Sequence, residues 1–100
     1  MKWLNLDLIK AHCRIEPDFH DEDLLLAGYG EEAEEIVLKV CNRTMEEIVD
    51  RYGKVPAPLV QASLLLVAMS YEHREAISQQ ELYMVPYAID MRVKPYMKLT

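Results

Sequence analysis

One hundred residues, 51% of them apolar and 28% charged, describe one domain large enough to enclose a core and too apolar to be disordered. Three glycines and five prolines are too few breakers for a turn-rich all-β fold, while long side chains and alanine favour helix. The net charge of -6, with basic residues dispersed except for Arg92, Lys94 and Lys98, argues against a sequence-reading DNA-binding protein, which neutralises phosphates with clustered cations.

Asn5 is placed to cap a short first helix through Leu8, Ile9, His12 and Cys13, because its side chain can accept an orphan amide. Arg14-Ile15-Glu16-Pro17 ends that helix, since the residue before a proline is pushed out of the helical region. Asp18 is then the expected cap of a longer helix reaching Asn42, with Asp21, Glu22 and Asp23 in its positive first turns. Leu25, Tyr29, Ala33, Ile36, Val37 and Val40 recur at three- and four-residue steps and form its apolar face. Glu31, Glu32, Glu34 and Glu35 project onto the opposite face at about 100° per residue. Gly28 and Gly30 each cost about 1 kcal/mol inside a helix, which implies a bend or a close helix contact near mid-length.

Thr44-Met45-Glu46-Glu47 is a capping box that opens a third helix, with Met45, Ile48, Val49 and Tyr52 on one face. Gly53 closes it, because the left-handed terminal position prefers glycine. Lys54-Val55-Pro56-Ala57 links it to a central helix in which Pro58 suits the first turn. From Leu59 to Tyr71 only Gln61, Ser63 and Ser70 are polar, so this helix must be enclosed on nearly every side. Beyond Glu75 the pattern weakens: Leu82-Tyr83-Met84-Val85 reads as extended before Pro86, and a last short helix spans Tyr87 to Val93 and stops before Pro95. The expected fold is all-α, a single domain over residues 1–100. It is a small bundle of four to five helices around the buried central helix, with a core over about 5–76 and a partly extended C-terminal interaction tail over about 77–100.

No constellation carries enzyme chemistry. The four glutamates face away from the apolar stripe, and the chain has no Glu-x-x-His of a di-iron bundle. His12, Cys13, His20, Asp21 and Asp23 lack spacings that converge on zinc, since His12 and Cys13 diverge by about 100° on one helix. There is no nucleophile elbow, dinucleotide fingerprint or phosphate loop. Neither metal nor other cofactor is expected. Cys13 and Cys41 sit among helical apolar residues and read as small hydrophobes rather than a disulfide pair. No signal peptide is visible at Met1-Lys2-Trp3-Leu4, and the apolar run near Leu64 is too short for the roughly 20 residues a bilayer needs. A reducing cytoplasm and no membrane are expected.

What is left has the composition of an interface. Tyr71, Glu72, Arg74 and Glu75 end the central helix with an aromatic and an arginine, residue types that anchor protein contacts. Tyr83, Met84, Pro86, Tyr87, Met91 and Tyr96 put many large groups into a terminal segment.

The order of segments resembles the tailed-phage head–tail connector proteins, also known as phage DNA-packaging proteins. Leu6-Asp7-Leu8-Ile9-Lys10-Ala11-His12-Cys13-Arg14-Ile15 is similar to the family's first helix, with Cys13 where leucine is usual. Asp21-Glu22-Asp23 leading into Leu24-Leu25 resembles its second-helix start. The stretch from Val55-Pro56-Ala57-Pro58 to Tyr71-Glu72-His73-Arg74-Glu75-Ala76 is the most similar of all. Val85-Pro86-Tyr87-Ala88-Ile89 and Lys94-Pro95-Tyr96 resemble the closing segment, with Ala88 in place of a common glycine.

The resemblance implies a non-catalytic subunit of a ring, dodecameric in the family, beneath the portal vertex of a phage head. The subunit alone is either a monomer or already assembled. The implied partners are further copies, the portal protein and a tail-side completion protein, with DNA passing through unspecifically. The implied location is the virion head–tail interface, after assembly in the bacterial host cytoplasm. In such a ring Glu31, Glu32, Glu34 and Glu35 either line the DNA path, where like charge keeps DNA from sticking, or form a soluble outer face. The exposed side of the second helix and the Tyr71–Glu75 end are the expected pair of subunit patches, and the tail the docking element for portal or neighbour. The rival class is a stand-alone helical regulator, dimeric and DNA-binding or antitoxin-like.

Overall fold

Helix α1 (Leu6–Cys13) begins as the sequence prescribes, with Asn5 Oδ1 accepting the Leu8 amide at 2.8 Å. Arg14 turns into the left-handed region (φ 60°) and stops it. The computed structural model describes residues 1–72 and 87–98, the side chain of Tyr87 excepted. Within them α1 is followed by α2 (Asp23–Cys41), α3 (Met45–Tyr52), α4 (Ala57–Glu72), α5 (Tyr87–Val93) and a 3-10 turn at Lys94–Tyr96. The fold is an all-α bundle, as expected.

Helix α2 starts later than the Asp18 cap implies. The buried Lys10 ammonium donates to the carbonyls of Pro17 at 3.3 Å and Phe19 at 2.7 Å. Those carbonyls serve the ammonium rather than helical amides, and residues 17–18 and 21–22 form turns instead of helix. Only Asp23 then lies in the first turn of α2. The helix passes through Gly28 and Gly30 without a break. Gly30 marks a close approach, because a Cβ there would collide with Met1 Sδ and press on Ile9 Cδ1 of α1. The apolar face is also rotated from the expected one: Leu26 is fully buried, whereas Leu25 is exposed.

The α3 box forms at both ends, with Glu47 N–H donating to Thr44 Oγ1 at 3.1 Å and Thr44 N–H to Glu47 Oε1 at 3.2 Å. Gly53 follows with φ 80°. Helix α4 lies at the centre and joins two clusters of buried side chains. Its Leu59 and Ala62 meet Val37, Leu38, Cys41, Ile48, Ile89 and Val93. One turn on, Leu64 and Val67 meet Leu4, Ile9, Leu26 and Ala33.

The core therefore extends beyond the expected limit near residue 76, because Ile89 and Val93, one turn apart on α5, are buried in it. The end of the chain is tied down as well. Arg43 Nε donates to the Tyr96 carbonyl at 2.8 Å, Lys98 N–H to the Cys41 carbonyl at 2.8 Å, and the Tyr96 ring packs edge-on against Tyr52 at 5.3 Å. Ile89→Ala should cost about 3 kcal/mol of stability in urea unfolding, the loss of a buried branched side chain. A change within about 0.5 kcal/mol, normal for a surface site, would show α5 to be an appendage rather than core.

Candidate assembly surfaces

The four glutamates of α2 do not share one environment. Glu31, Glu32 and Glu35 are exposed, but Glu34 is 1% accessible. Its carboxylate accepts three successive backbone amides at 2.8 Å each, from Lys2, Trp3 and Leu4, with both oxygens engaged by Lys2. The expectation of Glu34 on the outer acidic face is thus corrected: three orphan amides of the N-terminal segment draw it inward. The segment is held again where Trp3 Nε1 donates to Ser63 Oγ at 3.0 Å, and that hydroxyl donates to the Leu59 carbonyl at 2.8 Å. Lys2 Nζ reaches the outer face, pairing with Glu35 at 3.1 Å, which raises the lysine pKa.

A second polar centre lies under the turn before α2. Lys10 is 3% accessible, and its ammonium pairs with Asp23 Oδ1 at 2.7 Å; Asp23 Oδ2 lies 2.9 Å from His20 Nδ1. The lysine hydrogen bond, followed by that of His20, holds the Asp23 carboxyl below its ordinary value. So two of the residues weighed as zinc ligands, His20 and Asp23, do meet, but around an ammonium. His12 and Cys13 lie elsewhere, in a depression shared with Leu65, Met69, Tyr71 and Glu72. Burial, then the Glu72 charge, pushes the Cys13 thiol up, and burial does the same to Cys41, so neither is poised as a thiolate.

Of the expected interface at the end of α4, Tyr71 is half-buried and its hydroxyl donates to Glu22 Oε1 at 2.9 Å, joining the start of α2 to the end of α4. Glu72 is exposed. Arg74 and Glu75 lie outside the described residues, as do Tyr83, Met84 and Pro86. Of the tail candidates that are described, Tyr96 is engaged with Tyr52 and Arg43, while Met91 is 52% exposed. Among the described residues the most exposed large apolar one has no role assigned to it from the sequence: Leu24, on the first turn of α2, at 90%. Its position two residues before Leu26 on a 3.6-residue helix was the available signal.

The profile of the phage gp6-like head-tail connector proteins matches residues 4–95, nearly the whole chain, and the chain belongs to that family. No curated protein and no solved structure matches it.

Glu34→Ala leaves three amides without their acceptor, one of them the buried Leu4 N–H, and should cost about 3 kcal/mol in urea unfolding with the helices otherwise retained. Acid should weaken the Lys10–Asp23 tie with a fixed sign. Because the folded Asp23 value is depressed, its contribution is fully present above the ordinary carboxylate value near 3.8 and is lost as pH falls through the folded value. Asp23→Asn should therefore flatten the acid limb of a stability-versus-pH curve; an unchanged limb would show the ion pair to be neutral for folding.

Proposed function

We propose that this chain is a structural subunit of a phage or prophage head–tail connector, which forms a ring under the portal, extends the DNA channel and carries the tail-side proteins. The observation that carries this reading is the family match over residues 4–95. Three further features support it. The polar ties at Glu34 and Lys10 serve folding rather than reaction, because their partners are the chain's own amides, carbonyls and side chains. Apolar side chains face outward on α2 and α5. No helix among the described residues is long and apolar enough to cross a membrane.

In this reading the chain has no cofactor and no catalytic residue, and it works at the head–tail interface of the virion after assembly in the host cytoplasm. Its partners are copies of itself, the portal protein and a tail-completion protein, with DNA passing without specific contacts. The Tyr71–Glu75 end of α4 and the segment from Tyr83 to Tyr96 are proposed contacts with neighbours or portal. A stand-alone DNA-binding or antitoxin-like regulator has no comparable support, since its basic recognition helix is missing from the sequence.

The test is the solution mass over a concentration series, with and without the portal protein from the same phage genome. A ring, or a monomer that assembles on portal, is the expected result. A concentration-independent dimer indifferent to portal would overturn the proposal in favour of the regulator.

A further inference from the structure

Two features of α2 have no cause among the described residues. Gly30 is explained by Met1 and Ile9, but at Gly28 none of the described residues comes within 4 Å of where a Cβ would stand. A glycine in mid-helix lowers helix stability relative to alanine, and here no packing contact among the described residues offsets that. Leu24, one turn earlier, is 90% exposed. Leu24, Gly28, Glu31 and Glu35 follow one another at steps of four, three and four residues, so they form one stripe along the helix, and all four are exposed. The stripe is apolar and open at one end and acidic at the other, where Glu35 pairs with Lys2 Nζ at 3.1 Å and Glu31 lies 3.8 Å from the N-terminal ammonium, both carboxylates staying exposed to a further cation.

The chain also carries a surface complementary to it. On α5, Ile89 and Val93 are buried, which turns Met91 to the far side, where it is 52% exposed. Lys94 and Pro95 continue that outward face and are exposed; Arg92 lies beside them, its guanidinium donating to the Ala88 carbonyl at 2.6 Å. An apolar side chain bordered by two cations stands out in a chain of net charge -6. The charge is unevenly distributed: residues 1–35 hold ten of the seventeen acidic residues and three of the eleven basic ones. The α2 stripe and the α5 face belong to different elements of one core and both turn outward from it, the arrangement a head-to-tail contact requires.

Resting on the connector reading, we propose that the Leu24–Gly28–Glu31–Glu35 stripe of α2 is the seat for the Met91–Lys94 face of a second copy of this chain. Leu24 meets Met91, Glu31 and Glu35 face Lys94 and Arg92, and Gly28 lets the neighbouring backbone close in. The glutamates then set the register and direction of assembly by charge complementarity, while the apolar pair supplies burial. The presence of Leu24 at the apolar end of this face favours a protein occupant over DNA, which an acidic wall repels and an apolar side chain does not engage.

The experiment is self-association of the full-length chain by native mass spectrometry and sedimentation, alone and on portal protein, with helicity checked for every variant. Glu31→Lys combined with Glu35→Lys should weaken assembly about tenfold or more, and so should Lys94→Glu; all three together should restore most of it, because the charges have changed places. Gly28→Ala should raise the melting temperature of the dispersed subunit by about 4 °C or more and yet weaken assembly, a pairing that a purely structural role does not produce. Wild-type assembly with all these variants assembling equally well would overturn the α2–α5 contact and leave the connector reading standing. Normal assembly of the Glu31→Lys, Glu35→Lys variant together with new binding of duplex DNA would overturn it in favour of a channel-lining face. A wild-type chain that stays monomeric both alone and on portal would overturn the connector reading and this contact with it.

Discussion

From Leu64 to Met69 helix α4 has no polar side chain, and six consecutive residues cover more than one and a half turns. No orientation of such a segment leaves a polar face to water, so the other helices are arranged to surround it. Helices α1 and α2 enclose its later turns through Ile9, Leu26 and Ala33, while α3, α5 and the end of α2 enclose its first turns through Ile48, Ile89, Val93 and Val37. The N-terminal segment contributes Leu4 to the same enclosure. The return of α5 onto the core follows from the same constraint. A chain of this length has few helices to spare, and the C-terminal one is recruited rather than released.

Polar groups then fix how the enclosing pieces sit. Burial is non-directional, and by itself it would tolerate several placements of a short N-terminal strand of chain. The Glu34 carboxylate selects one, because three consecutive amides converge on two oxygens in a single geometry. The Lys10 ammonium selects the path of residues 14–22 in the same way, by gathering two carbonyls and Asp23. Each tie satisfies groups that would otherwise be buried without partners, so its value lies as much in excluding other arrangements as in its own strength.

The same economy separates the inside of the subunit from its outside. Tyr71, Tyr96 and Arg43, residue types that commonly anchor interfaces, are engaged within the chain. Leu24, Gly28 and Met91 are not explained by packing among the described residues, and they lie on outward faces of α2 and α5. For a member of the head–tail connector family, these are the residues proposed above as contacts with a second copy.

Local rules made much of this legible in the amino-acid order. The Asn5 cap, the Thr44–Glu47 box, Gly53 and the span Tyr87–Val93 all depend on residues within a few positions of each other, and each formed where the sequence put it. The apolar run of α4 was sufficient to require a bundle, and the order of segments was sufficient to name the family. Three things needed the tertiary structure. The inward turn of Glu34 depends on amides about 30 residues away, which no helical periodicity reports. The late start of α2 depends on Lys10, whose long stem can serve a surface or a buried centre equally well until its neighbours are known. The burial of Ile89 and Val93 depends on their packing against Leu59 and Ala62 of the central helix, and a short apolar pair reads the same in a free tail as in a core. Sequence fixes what is settled within a turn of helix; long-range contacts decide which of the remaining side chains the subunit keeps for itself and which it presents to a partner.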